Sequence, residues 1–192
     1  GATAVEDKSD QPFSITTVTP PVPPTLISSN PPNGAIDARR NTVARWQNIN
    51  LTLSGDASAV TAGDFSLSGV TAVGNTSLQI SEIKREMTAT APNKVTLVLN
   101  RPMLVNDRVT IAYKPSQTSI CLGVLPGDVD QSGMVAPADL LQMIDILNGT
   151  KPGPLYIADL DGSGLVAPAD QLALTDLLNT SNGKTLPACP AL

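Results

Sequence analysis

Hydrophobic and polar residues alternate in short runs along residues 25–118, and turn-forming residues separate the runs. The clearest run is Val95–Leu99, with aliphatic residues at 95, 97 and 99. A period of two predicts a half-buried strand. Similar runs occur at Thr25–Ser28, Ile49–Leu53, Phe65–Leu67, Leu78–Ile83 and Arg108–Tyr113. Seven or so short strands in about 95 residues predict an all-β sandwich.

Residues 1–24 predict an extended arm in front of this sandwich. Prolines at positions 20, 21, 23 and 24 favour polyproline II geometry and exclude the interior of a sheet. We interpret the segment as a linker from an upstream part of a larger protein. The alternative is that Phe13–Val18 pairs as a first strand.

Beyond residue 118 the apolar positions change to a helical period. Leu140, Leu141, Ile144 and Leu147 form one stripe, and a second follows at Leu172, Leu177 and Leu178. Glycine and proline in residues 119–127 and 149–158 exclude a long helix before either stripe. The pattern predicts a small all-α domain over residues 119–192, built from two loop–helix motifs.

The two motifs are an internal repeat. Asp128–Asn148 and Asp159–Asn179 align at an offset of 31, with 13 of 21 positions identical. Loop 1 (Asp128–Asp139) and loop 2 (Asp159–Asp170) place oxygen side chains at positions 1, 3, 5 and 12 and glycine at position 6, a spacing that wraps oxygens around one calcium ion. The predicted ligands are Asp128, Asp130, Ser132, the Met134 carbonyl and Asp139, then Asp159, Asp161, Ser163, the Leu165 carbonyl and Asp170. The alternative is a pair of metal-free turns that cap helices.

The charge and composition of the chain exclude some classes of function and favour others. Net charge is −5, and residues 120–192 carry −6, from eight acids and two bases. This balance suits a hard cation and argues against nucleic acid or an anionic membrane as partner. The absence of histidine removes the commonest general base. No apolar run approaches 18 residues, so we expect no membrane span.

Cys121 and Cys189 are the only cysteines, and they bracket the acidic segment. Two cysteines allow one pairing, and our hypothesis is a disulfide that joins the ends of this segment. The alternative is two buried free thiols. A secreted location would favour the disulfide.

Two family resemblances add to these interpretations. Pro31–Asp37, Gly63–Leu67 and Pro102–Asp107 resemble bacterial Ig-like domains of surface proteins. This resemblance implies an Ig-like sandwich over residues 25–118, and the alternative is another type of β-sandwich.

The duplicated loop–helix motif resembles the type I dockerin domain. That resemblance implies two calcium-stabilised F-hand motifs, and recognition of a cohesin by loop positions 10 and 11, often Ser-Thr. Those positions hold other residues here, namely Pro137, Ala138, Pro168 and Ala169. The residues for calcium binding therefore match the dockerin pattern, whereas the residues at the cohesin-recognition positions differ from it. The partner is either a cohesin-like protein or the sandwich of the same chain.

The sequence thus predicts a multidomain chain: an arm (1–24), a sandwich (25–118) and a dockerin-like domain (119–192). We expect a non-catalytic module of a secreted, polysaccharide-related bacterial protein, which binds two calcium ions and mediates docking or anchoring. One alternative is a structural adhesion segment that calcium only rigidifies. Another is an enzyme or sugar-binding sandwich, for which Asp64, Glu82 and Glu86 are the candidate carboxylates.

Overall fold

The computed structural model describes residues 22–40, 45–70, 77–86 and 93–191, so the hypothetical strand Phe13–Val18 lies outside the described residues. Within these ranges, eight strands form two four-stranded sheets. All six runs that alternate in the sequence overlap strands. The strands are β1 Leu26–Asn30, β2 Ile36–Asp37, β3 Asn48–Leu53, β4 Phe65–Val70, β5 Ile80–Arg85, β6 Lys94–Leu99, β7 Arg108–Tyr113 and β8 Thr118–Val124.

The first sheet has the order β1-β3-β6-β5 and the second the order β2-β8-β7-β4. All pairs are antiparallel except β2 with β8, which is parallel. Leu51 and Leu97 of the first sheet and Ile111 and Leu122 of the second belong to one buried core. Because alternate residues of both sheets face this shared core, the sheets form a sandwich.

The second sheet contains a strand that the sequence analysis treated as a connector. β8 pairs with β7 and β2, and its residues Ile120, Leu122 and Val124 alternate into the shared core. The expected boundary between residues 118 and 119 therefore lies within a strand of the sandwich.

The prediction of a small all-α dockerin-like domain is wrong, and with it the predicted fold class. The described chain is mostly β, with two sheets and three short helices: α1 Pro137–Leu147, α2 Leu155–Ala158 and α3 Pro168–Ser181. Met143 of α1 and Leu174 of α3 are buried in one cluster with Ala38, which follows β2. The helices are few and short, and the core between them includes a residue from a segment of the sandwich. None of the described helices has the length and apolar character needed to cross a membrane.

Backbone hydrogen bonds also join the helices to the segment after β2. The Ala38 carbonyl accepts from the Gly127 N–H (2.9 Å), and the Ala38 N–H donates to the Tyr156 carbonyl (2.9 Å). The Arg40 N–H donates to the Leu160 carbonyl (3.0 Å). Residues 38–40 thus lie between the segments that lead into loop 1 and loop 2.

Cys121 and Cys189 form a disulfide with Cα atoms 6.0 Å apart, which confirms the expected pairing. The residues after Cys189 lie against the second sheet. The Thr110 hydroxyl donates to the Pro190 carbonyl (2.8 Å), and the Ser68 hydroxyl donates to the Ala191 carbonyl (3.2 Å). Residues 189–191 are therefore held on β4, β7 and β8.

Candidate metal sites

The structure brings the predicted acids of each loop together. In loop 1, between β8 and α1, one carboxylate oxygen from each of the three predicted acids lies within 4.8 Å of the others, and the same holds in loop 2, between α2 and α3. The two triads are Asp128, Asp130 and Asp139, and Asp159, Asp161 and Asp170.

The glycine at position 6 closes each loop on the first aspartate. The Gly133 N–H donates to Asp128 Oδ2 (2.9 Å), and Gly133 has φ +83°, a left-handed conformation that favours glycine. Loop 2 repeats this bond between Gly164 and Asp159 at 3.0 Å. These two distances agree within 0.1 Å, so the repeated sequence produces a repeated local geometry.

The acid at position 12 serves both the loop and the helix that follows. Asp139 accepts the Ala136 N–H (2.7 Å) and the Asp130 N–H (3.0 Å). Asp170 makes the same two hydrogen bonds in loop 2, at 2.8 and 3.1 Å. Alanine precedes each helix and has no side-chain acceptor, so the aspartate satisfies the free N–H at the positive end of the helix dipole.

The serine and the position-7 carbonyl complete the predicted oxygen set. The Ser132 hydroxyl donates to the Met134 carbonyl (3.1 Å) and lies 3.5 Å from Asp128 Oδ1. In loop 2 the Ser163 hydroxyl donates to the Leu165 carbonyl at 3.2 Å. Each loop therefore gathers three carboxylates, one hydroxyl and one carbonyl.

The carboxylates at positions 1 and 12 are buried, and the Arg108 guanidinium interacts electrostatically with Asp128 without forming an ion pair with it. Asp128, Asp139 and Asp170 are 0% exposed and Asp159 is 4% exposed. In the described parts of the chain, no lysine or arginine forms an ion pair with any acid of either triad. Buried charges of one sign are costly unless a cation compensates them. An all-oxygen donor set with this charge fits calcium.

Burial shifts the pKa values of the acids in loop 1. Desolvation raises the pKa of Asp128 to about 7 and the pKa of Asp139 to about 6. Burial also acts to raise the pKa of Asp130, but hydrogen bonds from the Ser132 hydroxyl and N–H outweigh it and lower that pKa. A cation in loop 1 would therefore displace protons from the two most buried carboxyl groups.

The carboxylates considered for an enzyme lie elsewhere and have other partners. Asp64 accepts the Thr61 N–H (2.7 Å). Glu82 and Glu86 form exposed ion pairs with lysines at 3.6 and 3.2 Å. Each of the three carboxylates thus has a nearby partner outside the two loops.

Gln131, at position 4 of loop 1, was not predicted to have a role. Its side-chain Oε1 accepts the Ile36 N–H (2.7 Å), and its Nε2 donates to the Ile36 carbonyl (2.8 Å). Loop 2 has Gly162 at the equivalent position, and both residues have positive φ, +63° and +75°. The alignment of the two loops places this glutamine opposite Gly162, and that difference was the one sequence signal for it.

Loop 1 also forms a short backbone pairing with residues 183–186 that was not predicted. Val135 donates to the Lys184 carbonyl (2.9 Å) and accepts the Gly183 N–H (2.8 Å). The Leu186 N–H donates to the Gly133 carbonyl (2.8 Å). No periodic pattern marks residues 183–186, so the sequence carries no signal for this contact.

Comparisons with known proteins identify no family. No protein-family profile and no curated protein sequence matches this chain. Among solved structures, an L,D-transpeptidase from Mycobacterium smegmatis is similar, with a TM-score of 0.35 and 6% sequence identity. The match covers 54% of this chain and 40% of that protein, so this chain spans less than half of its length. At that TM-score the similarity carries no inference about this chain.

Proposed function

We propose that the chain is a non-catalytic extracellular module that binds two calcium ions, one in each loop. The observation that carries the proposal is the pair of buried carboxylate triads, which have matching hydrogen bonds and no ion-pair partner in the described residues. Calcium would supply the missing positive charge. The disulfide Cys121–Cys189 supports an extracellular location, because such bonds persist in oxidising compartments.

The ions would hold the helices in place. Loop 1 connects β8 to α1, and loop 2 connects α2 to α3. An ion that closes each loop fixes the direction in which the following helix leaves it. Calcium would thereby stabilise the packing of Met143 and Leu174 around Ala38.

Thermal unfolding in excess calcium and in chelator tests this function. An ion that binds only the native state adds about 2.7 kcal/mol per site at a hundredfold excess over Kd. We expect Asp128→Asn or Asp159→Asn to remove the calcium-dependent stabilisation of one site, and the double variant to remove that of both sites. Asp145→Asn with Asp176→Asn is the matched control, because these acids repeat at the same offset outside the loops. If neither calcium nor chelator changed the unfolding temperature of the wild-type chain, the proposal would be refuted.

A second function, docking to a protein, is favoured by apolar side chains that the repeat exposes in pairs. Leu141 and its counterpart Leu172 are 67% and 71% exposed, and Met134 and Leu165 are 43% and 71% exposed. The exposed residues at loop positions 10 and 11 lie one helical turn before the two helix leucines, on the same faces: Pro137, Ala138, Pro168 and Ala169. Large exposed apolar side chains in such a set favour a protein partner.

A cohesin-like domain is the first partner to test, by calorimetry in calcium and in chelator. We expect Leu141→Ala with Leu172→Ala to weaken binding at least tenfold, an order typical of central apolar contacts. Ile27→Ala is the control, because Ile27 is similarly exposed (64%) but lies on β1. Since the two faces are nearly identical, either single variant alone should have a smaller effect. Absence of binding would leave the structural role of calcium as the function.

A further inference from the structure

Loop 1 has a side-chain anchor on the sandwich that loop 2 lacks, whereas loop 2 meets the same segment through one backbone hydrogen bond, from the Arg40 N–H to the Leu160 carbonyl. The Gln131 side-chain amide both accepts from and donates to the backbone of Ile36, as a neighbouring strand residue would. The backbone of Ile36 can make this pair because residues 123 and 125 bond the two residues that flank Ile36. The Gly123 N–H donates to the Ala35 carbonyl, and the Leu125 N–H donates to the Asp37 carbonyl. One side chain of loop 1 thus extends the second sheet beyond β2.

The same amide also fixes the start of the loop. Gln131 Nε2 donates to the Asp128 carbonyl (3.0 Å), so the contact reaches the residue at position 1. Gln131 holds a left-handed φ of +63°, which is unfavourable for a residue with a side chain. Glycine would adopt this conformation without that cost, as Gly162 does in loop 2. The strained backbone indicates that the side-chain contacts offset the strain.

Loop 1 is braced on its other side by the backbone pairing of Gly133 and Val135 with residues 183–186. The disulfide at Cys189 holds the following residues on the second sheet. In loop 2, residues 164–166 make no backbone hydrogen bond to a described segment outside the loop. Loop 1 is thus held from two sides, whereas loop 2 is free at the equivalent positions.

We propose that Gln131 is the positioning residue that makes loop 1 the tighter of the two calcium sites and couples its ion to β2. The proposal rests on the calcium function proposed above. A loop already held in one conformation loses less conformational entropy when it binds an ion. An ion that further orders loop 1 must also order the Gln131 pair with Ile36, which transmits binding to the sandwich.

Calorimetric titration of single-site chains with calcium chloride tests the affinity. Asp159→Asn leaves loop 1, and Asp128→Asn leaves loop 2. We expect loop 1 to bind roughly tenfold tighter, and Q131G to remove most of this advantage although glycine relieves the backbone strain. Q131N is a second variant, since asparagine tolerates positive φ but is one methylene too short for Ile36. In the Asp128→Asn chain, Q131G should leave the affinity of loop 2 unchanged.

Hydrogen exchange of the Ile36 amide separates positioning from a purely structural role. Calcium should slow this exchange in the Asp159→Asn chain, and Q131G should abolish the calcium-dependent part. A purely structural role would change the exchange equally with and without calcium. Equal affinities at two working loops, or a loop 1 affinity unmoved by Q131G, would overturn this proposal alone. Calcium binding to neither single-site chain would overturn the calcium function and this proposal together.

Discussion

Two leucines on α3 offer a matched test of how the helices pack. Leu174 is fully buried with Met143 and Ala38, whereas Leu172, two residues earlier, is 71% exposed. The substitution Leu→Ala is chemically identical at both positions and has a similar effect on helix propensity. Any difference between the variants therefore reports packing, because only Leu174 would leave a cavity.

The expected magnitude follows from burial. Leu174→Ala should lower the free energy of unfolding by about 3 kcal/mol, the low end for a buried leucine, since alanines at 38, 158 and 173 already make this cluster small. Leu172→Ala should change it by less than ~0.5 kcal/mol, as at other exposed sites. Because Ala38 belongs to the sandwich segment, the loss at Leu174 should also destabilise the contact between helices and sheets.

Urea unfolding in excess calcium measures both effects. Circular dichroism follows the helices. Trp46 fluorescence follows the sandwich, because Trp46 packs against its core, and it also senses α2, whose Tyr156 ring lies 5.4 Å from the Trp46 ring. We expect both signals to change together and to shift equally in Leu174→Ala. A loss below ~1 kcal/mol, or a shift of the helical signal alone, would refute the packing of these helices on the sandwich.

Two further predictions concern the metal-free chain and the disulfide. Burial raises the pKa of Asp128 to about 7 and of Asp139 to about 6, so the native metal-free protein holds protons that the unfolded chain releases. The free energy of unfolding should therefore fall as pH rises from about 4 to 7. Urea unfolding without calcium at several pH values measures this trend, and a flat or rising free energy would contradict it. Cys121→Ser with Cys189→Ser opens a loop with a sequence separation of 68 and should cost about 4 kcal/mol in the same assay; a loss below ~1 kcal/mol would contradict this.

The sequence predicted β3 and β6 most clearly, because their burial alternates. β3 and β6 bury every second residue and expose the others in whole or in part, so their period of two is visible. β8 is buried on both faces over Ile120–Val124, because residues of the C-terminal segment cover its outer face: a side chain at Gly123 would meet Leu186. β2 has two residues, too few for any period. These two strands could not be distinguished from a connector by periodicity alone.

The candidate ligands were predictable because each set lies within twelve consecutive residues, and the local chain brings them together. The contacts that distinguish loop 1 from loop 2 are not local. Gln131 and Ile36 are 95 residues apart, and the Gly133 carbonyl accepts from Leu186, which lies beyond the end of the repeat. A repeat predicts equal sites, and only the fold shows that the surroundings of the two loops differ.

Residues 36–40, which comprise β2 and the segment after it, explain why two similar loops need not make an independent domain. Ile36 contacts loop 1 through Gln131, and Arg40 contacts loop 2 through the Leu160 carbonyl at 3.0 Å. One short piece of the sandwich therefore touches both loops, and its Ala38 lies in the core between the helices. If the loops bind calcium as proposed, both ions act on residues 36–40, and removing them loosens the edge of the second sheet as well as the helices. The sandwich and the repeat should then respond to calcium as one cooperative unit.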